Sequence, residues 1–150
     1  MNNISFLEVE YVDVLDELIK MSIDWQNENS CYGYRANEIK DIEGNRIFIA
    51  KDNTEIIAYL FGHKVISNNM ISIMENDVPY FEIEELYVKP EYRNRGVGSK
   101  LFDYVSELLK KEVDYILLST ATKNWKAILH FYIEELGMTF WNARLFKKIK

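Results

Sequence analysis

A short basic loop that joins a strand pattern directly to a helix pattern is the feature that most constrains the fold. The strand covers residues 81–88, the loop residues 93–98, and the helix begins at Val97. Such a loop leaves backbone N–H groups unpaired at the positive end of a helix, which suits a phosphate. Arg93 and Arg95 add charge-assisted contacts to the same anion. We therefore expect a phosphorylated cofactor to bind at this loop.

The spacing of the loop excludes two common nucleotide-binding loops. A P-loop needs a lysine followed by serine or threonine after its glycines, and no such pair follows Gly98. A dinucleotide-binding loop needs a third glycine at the position of Leu101. The pattern here is Arg-x-x-Gly-x-Gly, and it follows an acidic strand in the middle of the chain.

Repeating apolar positions predict an α+β domain with a mixed sheet flanked by about four helices. The predicted strands cover residues 4–9, 46–51, 55–66, 81–88, 115–119 and 138–149. The predicted helices cover residues 12–23, 36–41, 97–111 and 124–136. A chain of 150 residues suits one core, so we assign residues 1–150 to a single domain.

The composition narrows the class of function. A net charge of −6 argues against a protein that coats nucleic acid and is compatible with a cationic substrate. Cys31 is the only cysteine, which excludes an internal disulfide and fits a reducing compartment. The two histidines lack ligand spacing, so no metal site is expected. The chain also lacks signal-peptide and membrane-span patterns, so we expect no membrane partner and a cytoplasmic location.

At the loop, the sequence resembles the GNAT superfamily of acyl-CoA-dependent N-acetyltransferases. Their hallmark, Gln/Arg-x-x-Gly-x-Gly/Ala, is matched by Arg93, Gly96 and Gly98. The surrounding stretch, EELYVKPEYRNRGVGSKL, is similar to the central motif of that family. The predicted order of elements is similar to its fold over essentially the whole chain. The resemblance implies a GNAT-like fold and acetyl-CoA as the co-substrate.

The resemblance also implies which residues would hold CoA. In the family, the backbone amides of the loop bind the pyrophosphate, and small residues let the backbone approach it. A bulge in the preceding strand frees backbone groups for the pantetheine arm and the acetyl carbonyl. Asn124 would contact the pantetheine arm or only cap its helix. The implied residues are Leu86, Tyr87 and Val88 through their backbone, Arg93, Asn94, Arg95, Gly96, Val97, Gly98, Ser99 and Asn124.

Three glutamates of the strand are candidates for a general base. An amine attacks only when it is neutral, and a carboxylate can take its proton directly or through water. Alternation places Glu82 and Glu84 on one face of the strand and Glu85 on the other. The resemblance favours Glu84 or Glu85 as base or amine anchor. Glu84 is the preferred candidate for the base, because family members often carry the base two residues before the position of Leu86. The alternative is that the strand lines a water-filled cleft and its glutamates are solvated without a catalytic role.

A tyrosine of the last predicted helix is the candidate general acid. The family often protonates the leaving thiolate with the tyrosine of Asn-x-x-Ala-x-x-x-Tyr. Asn124 and Ala127 fit this pattern, but Phe131 stands at the tyrosine position and Tyr132 follows it. One residue turns a helix by about 100°, so a shifted helix start or a π-bulge would be needed to bring Tyr132 to the thiol. An aromatic stripe packed on the sheet is the alternative role for Tyr132, and His130 is a more distant candidate acid.

No catalytic role is predicted for two other reactive side chains, Cys31 and His63. Cys31 could carry an acyl group, but no histidine or aspartate at a recognisable spacing activates it. His63 lies within the second strand of the predicted hairpin, where a structural role is expected.

These features predict an acetyl-CoA-dependent N-acetyltransferase that acts on a primary amine by direct attack. The cofactor would lie in the V between the strands at residues 81–88 and 115–120. The acceptor would enter near Tyr32, Tyr34 and Asp77 and is expected to be a small cationic amine, aminoglycoside-like or polyamine-like. The alternatives are a protein or peptide N-acetyltransferase and a non-catalytic acyl-CoA-binding module. The protein could also form a homodimer, since dimers are common in the family and the aromatic C-terminal strand could pair with that of a second copy.

Overall fold

Five apolar stretches form one sheet in the computed structural model of the chain, which describes residues 3–150. The strands, in their order across the sheet, are β1 (Ile4–Val9), β2 (Arg46–Asp52), β3 (Glu55–Ile66), β4 (Pro79–Val88) and β5 (Tyr115–Leu118). Neighbours are antiparallel except β4 and β5, which are parallel. A parallel pair needs a crossover, and the helix between these two strands supplies it. The predicted α+β fold with a mixed sheet is confirmed.

Helices cover both faces of the sheet. They are α1 (Tyr11–Glu28), α2 (Ile39–Ile42), α3 (Val97–Leu109) and α4 (Trp125–Leu129), with a 3₁₀ turn at Pro90–Tyr92 and a π-helical turn at His130–Glu135. On one face, α3 buries Leu101 and Val105 against the sheet. On the other face, α1 buries Leu18 and Met21. Each face therefore has its own apolar core, as the periodicity predicts.

The second helix begins later than the sequence pattern suggests. It was expected over residues 36–41 and lies at Ile39–Ile42. The N–H groups of Ala36 and Asn37 instead donate to side chains of α1, at 2.7 and 2.9 Å. Side-chain hydrogen bonds of this kind hold a segment extended in competition with a helix. They also tie the segment before α2 to α1.

The predicted strand over residues 138–149 is wrong. Residues 138–150 have no regular secondary structure. The side chains of Leu145 and Phe146 are 92% and 79% exposed, and Phe146 contacts Tyr32 edge-on, with ring centroids 5.7 Å apart. An apolar pattern can predict a strand, but the strand forms only where a neighbour pairs with its backbone. Among the described residues, no strand pairs with residues 138–150, and β5 pairs with β4.

A β-bulge in β4 determines where its acidic side chains lie. Phe61 pairs with Glu85, but the next residue of β3, Gly62, pairs with Ile83, so Glu84 has no partner across the strands. An extra residue interrupts the alternation of faces, and Glu84 and Glu85 line the same cavities. The prediction that these two glutamates point to opposite faces is therefore wrong.

Gly62 allows the two strands to approach closely beside the bulge. A Cβ atom at this position would overlap the backbone carbonyl oxygen of Glu82 and lie 2.9 Å from Cε2 of Phe81. Both obstacles belong to β4, one of them its backbone, so a larger residue would have to push the strands apart. The bulge and the glycine thus form one local unit.

Candidate active site

β4 and β5 separate halfway along β4 and leave a V-shaped gap. Their pairing ends at Ile83 and Leu118, whereas β4 stays paired with β3 as far as Val88. Beyond Ile83, the edge of β4 that faces β5 has no strand partner among the described residues. A cavity of about 950 Å³, the larger cavity, lies in this gap, and Leu86, Tyr87 and Val88 line it. Backbone groups at such an opening are available to a ligand.

The glycine loop closes one end of the larger cavity at the start of α3. Gly96 caps the helix with a φ of +79°, and Asn94 has a φ of +61°, both in the left-handed region. The cap residue makes no side-chain hydrogen bond, so the first N–H groups of α3 stay available. A Cβ on Gly98 would lie 3.1 Å from Cζ of Phe131, so glycine there permits close packing. The loop can bind an anion such as a diphosphate.

The side chain of Arg93, which is predicted to contact the anion, lines the larger cavity and forms an ion pair with α1. Its Nη1 and Nη2 donate to the carboxylate of Glu28 at 2.7 and 3.0 Å, and its Nε donates to the carbonyl of Val88 at 2.8 Å. The hydroxyl of Tyr87 donates to the same carboxylate at 2.7 Å. Burial acts to raise the pKa of Glu28, but the hydrogen bonds from Arg93 and Tyr87 together lower it. Arg93 therefore ties the loop to α1. Arg95 does not line the larger cavity, and its guanidinium lies over the ring of Tyr92, with Cζ 5.6 Å from the centroid.

A second, smaller cavity of about 420 Å³ lies on the side of β4 that faces α1 and α2. It is lined by Gly33, Tyr34, Arg35, Asn37, Asp41, Asn45, Phe61, His63, Glu84 and Glu85. Four of these residues, Gly33, Tyr34, Glu84 and Glu85, also line the larger cavity. The two cavities therefore meet at the β-bulge. Asp77, expected at the mouth of the site, lines neither cavity.

Glu85 is a buried hydrogen-bonding centre. Its Oε1 accepts hydrogen bonds from the Tyr34 hydroxyl at 3.1 Å, from Asn37 Nδ2 at 2.9 Å and from the Tyr59 hydroxyl at 2.8 Å. Burial raises the pKa of Glu85 and outweighs these three hydrogen bonds, which lower it. Burial and the nearby Glu85 charge raise the pKa of Tyr59 in turn. Such an arrangement holds the wall of the smaller cavity and leaves Oε1 little capacity for a substrate proton.

This environment predicts a pH-dependent effect of Glu85→Gln on stability. Because the pKa of Glu85 is raised on folding, stability falls as pH rises from the unfolded carboxyl value, about 4.3, to the folded one. Glutamine keeps an Oε1 acceptor and cannot ionise. In urea titrations between pH 4 and 8, the variant should gain free energy of unfolding relative to wild type as pH increases.

A second substitution at the same position gives the matched control. Glu85→Ala leaves the three donors without their acceptor and should cost about 1–3 kcal/mol at both ends of the pH range. If the wild-type and Glu85→Gln curves ran parallel over the whole range, Glu85 would not be the group whose pKa is raised.

Glu84 occupies a different environment from Glu85. Its side chain is 46% exposed, and its Oε1 lies 3.5 Å from Nδ1 of His63. His63 is paired with Glu82 across the two strands, and Oε2 of Glu82 is buried without a hydrogen-bond partner among the described residues. Burial and the charge of Glu84 raise the pKa of Glu82. Glu84 is thus exposed and, unlike Glu85, is not enclosed by donors. No pattern in the sequence predicts that His63 lies beside it.

A π-helical turn brings Tyr132 to the larger cavity. The N–H of Leu136 donates to the carbonyl of Phe131 at 3.0 Å, which is the i→i+5 bond of such a turn. Tyr132 lines the cavity together with His130 and Asn124. Burial raises the pKa of Tyr132 to about 12, and the nearby Cys31 adds to the effect. The hydroxyl therefore stays protonated at neutral pH, as a proton donor must.

The segment after α1 is joined to the segment after β5. Cys31 forms an isolated bridge with Thr122, Tyr32 N–H donates to Ala121 O at 2.9 Å, and Lys123 N–H donates to Ser30 O at 2.8 Å. Each of these segments contributes to the lining of the larger cavity. The sequence did not predict this connection, because such short pairings lack a strand pattern. Asn124 caps α4 without a side-chain hydrogen bond, which leaves its amide available to a ligand.

Within residues 3–150, no three His, Cys, Asp or Glu side chains are grouped closely enough to hold a metal ion. The helices of the same part of the chain are also too short or too polar to span a membrane.

The mixed five-stranded sheet with helices on both faces matches the fold of GNAT-like acetyltransferases. The chain belongs to the acetyltransferase (GNAT) family, since the model of that family matches residues 13–138. Members of this family generally use acetyl-CoA. No curated protein sequence matches the chain significantly.

Several solved structures share this fold over nearly the whole chain. An aminoglycoside acetyltransferase, meta-AAC0020, from an uncultured soil metagenomic sample has a TM-score of 0.70 at 14% identity, with 98% of this chain and 97% of that one covered. A transcriptional regulator from Bacillus halodurans C-125 has a TM-score of 0.72 at 20% identity, with 98% and 100% covered. An acetyltransferase from Trypanosoma brucei has a TM-score of 0.65 at 15% identity, with 98% and 100% covered. At these identities the similarity establishes the fold alone.

Proposed function

We propose that the protein transfers the acetyl group of acetyl-CoA to a primary amine by direct attack. The observation that carries this proposal is the meeting of two cavities at Glu84. One cavity has an anion-binding loop and open strand backbone, and the other has acidic and amide side chains. A donor and an acceptor bound in the two cavities would have their reacting atoms next to each other.

The larger cavity suits acetyl-CoA as the donor. The N–H groups at the start of α3 would bind the pyrophosphate. The open backbone of Leu86, Tyr87 and Val88 would hold the pantetheine arm and the acetyl carbonyl. Asn124 stands on the opposite wall with its side-chain amide available.

The smaller cavity suits a small cationic amine as the acceptor. Glu84, Glu85 and Asp41 line it, and the net charge of −6 attracts a cation to the protein as a whole. Its one lining cation, Arg35, is paired with Asp41 at 3.0 Å. An aminoglycoside-like or polyamine-like acceptor fits this balance, and one protein of the same fold is an aminoglycoside acetyltransferase.

The reaction needs three proton transfers. Glu84 would accept a proton from the bound ammonium, and the neutral amine would attack the acetyl carbonyl. When the tetrahedral intermediate collapses, the C–S bond breaks, and the nitrogen would lose its second proton through solvent to the phenolate that Tyr132 leaves, which gives a neutral amide and restores the tyrosine. Tyr132 would donate its proton to the departing thiolate, because its raised pKa keeps it protonated beforehand.

Thiol release from acetyl-CoA tests the proposal directly. Wild-type protein is assayed with an aminoglycoside, a polyamine, a peptide with a free N-terminal amine, and an uncharged alcohol of similar size. We expect turnover with at least one of the two small cationic amines and none with the alcohol. Tyr132→Phe should slow that turnover without weakening the binding of CoA.

The other outcomes are equally informative. Turnover with the peptide alone would indicate a protein or peptide N-acetyltransferase. Tight CoA binding without release of thiol to any amine would contradict catalysis and indicate an acyl-CoA-binding module. The homodimer and the cytoplasmic location stay predictions, and sedimentation at several protein concentrations tests the first of them.

A further inference from the structure

We propose that His63 takes the amine's proton from Glu84 and passes it to solvent, so that Glu84 is a carboxylate again for the next turnover. This inference rests on the proposed function, because it assumes that Glu84 accepts the proton of the amine. It assigns a role to a side chain that the reaction described above does not use.

The geometry places the two groups within reach of each other. Nδ1 of His63 lies 3.5 Å from Oε1 of Glu84, a distance that a small side-chain rotation reduces to a hydrogen bond. Both residues line the smaller cavity, next to the point where the two cavities meet. The β-bulge is the cause, because it removes Glu84 from the pairing with β3 and turns it toward the His63 side of the strand.

The exposure of the pair provides a route to water. The side chains of His63 and Glu84 are 43% and 46% exposed. Glu85, by contrast, is enclosed by three donors and has no comparable outlet. A proton that reaches His63 can therefore leave from the exposed imidazole to bulk solvent.

Carboxylates lie on more than one side of His63. From β4, Glu82 and Glu84 face the imidazole, and Glu85 and the Arg35–Asp41 ion pair line the same cavity. The relay accounts for the first proton of the amine: ammonium loses it to Glu84, Glu84 loses it to His63, and His63 loses it to water.

His63 acts through Glu84 and is therefore a positioning residue with a proton-transfer role. We expect His63→Ala to lower kcat by about 10- to 100-fold, with the KM for acetyl-CoA unchanged. Added imidazole should restore a large part of the lost rate, since the removed side chain leaves space in the cavity wall. Lys64→Ala is the matched control, because Lys64 is the next residue of β3 and its side chain is similarly exposed, at 47%.

A conservative variant separates proton transfer from hydrogen bonding. The amide of His63→Asn can hydrogen-bond to Glu84 but cannot take its proton, so its kcat should be as low as that of the alanine variant. Full activity of His63→Asn, or no response of His63→Ala to imidazole, would overturn the relay.

An NMR spectrum of the His63 ring tests the pair independently of turnover. In Glu84→Gln, which removes the neighbouring carboxylate, the signals of the ring nitrogens should differ from those of wild type at the same pH. Identical signals would show that the two groups do not interact and would overturn the inference. If no amine is acetylated by wild type, the proposed function fails, while the spectrum still decides whether the pair is coupled.

Discussion

Gly96→Glu is expected to weaken CoA binding by at least about 100-fold, equivalent to about 2.7 kcal/mol. Three effects act in the same direction. The φ of +79° at Gly96 disfavours any residue with a Cβ. The new carboxylate sits at the N-terminus of α3, where it competes for the N–H groups that the pyrophosphate needs. It also repels that anion directly. Isothermal titration with CoA measures the loss.

A matched control separates the anion site from the general effect of the substitution. Gly44 is also exposed, has a φ of +81°, and has no atom within 4 Å of a built Cβ, as is true of Gly96. It lines neither cavity. Gly44→Glu therefore adds the same strain and the same charge elsewhere and should leave the affinity for CoA within about twofold of wild type. Equal affinities of the two variants would contradict the assignment of the loop as the pyrophosphate site.

Most of the fold could be predicted because each of its elements has a local cause. Period-two patterns predicted the bounds of β1 and β3, and the glycine loop predicted the start of α3 at Val97. The period-3.6 pattern predicted the position of α1, but the helix continues five residues past the predicted end, to Glu28. These signals lie within short stretches of sequence. The prediction of a strand over residues 138–149 failed because its cause is not local. A strand depends on a pairing partner that its own residues do not encode.

The details of the site depend on contacts between distant residues. The carboxylate of Glu28 that engages Arg93 is 65 positions away, and the hydroxyl of Tyr34 that binds Glu85 is 51 positions away. Neither pairing has a spacing that could be recognised in advance. The bulge at Glu84 requires Gly62 in the neighbouring strand, so strict alternation within β4 could not predict it.

The position of Tyr132 in the last helix departs from the family pattern, and the structure shows part of the reason. Tyr132 follows the position where the family pattern has its tyrosine, and a π-bulge was one of two ways to restore it. The structure has a π-helical turn at His130–Glu135. Phe131, at the family's tyrosine position, packs against Gly98 instead. The role of Tyr132 as the general acid stays a prediction.

Glu84→Gln is expected to lower kcat with the preferred amine by about 100- to 1000-fold. Glutamine has nearly the same shape but cannot accept a proton, so the acceptor stays an ammonium ion and cannot attack. The KM for acetyl-CoA should stay within about twofold, because the pyrophosphate binds at the loop rather than at the bulge. Raising the pH should recover part of the rate, since a growing fraction of the free amine is then already neutral. Initial rates of thiol release between pH 6 and 10 measure both effects.

Glu55→Gln is the control that removes the same charge from a comparable position. Glu55 begins β3, its side chain is 51% exposed, and it forms an ion pair with Lys89 at 3.5 Å, the same distance that separates Glu84 from His63. It lines neither cavity, so its loss should leave kcat unchanged and affect stability by less than about 1 kcal/mol. A Glu84→Gln variant as active as Glu55→Gln at neutral pH would assign the base to another group. Glu85 would then be the next candidate, because it is the other carboxylate where the two cavities meet, although three donors already occupy its Oε1.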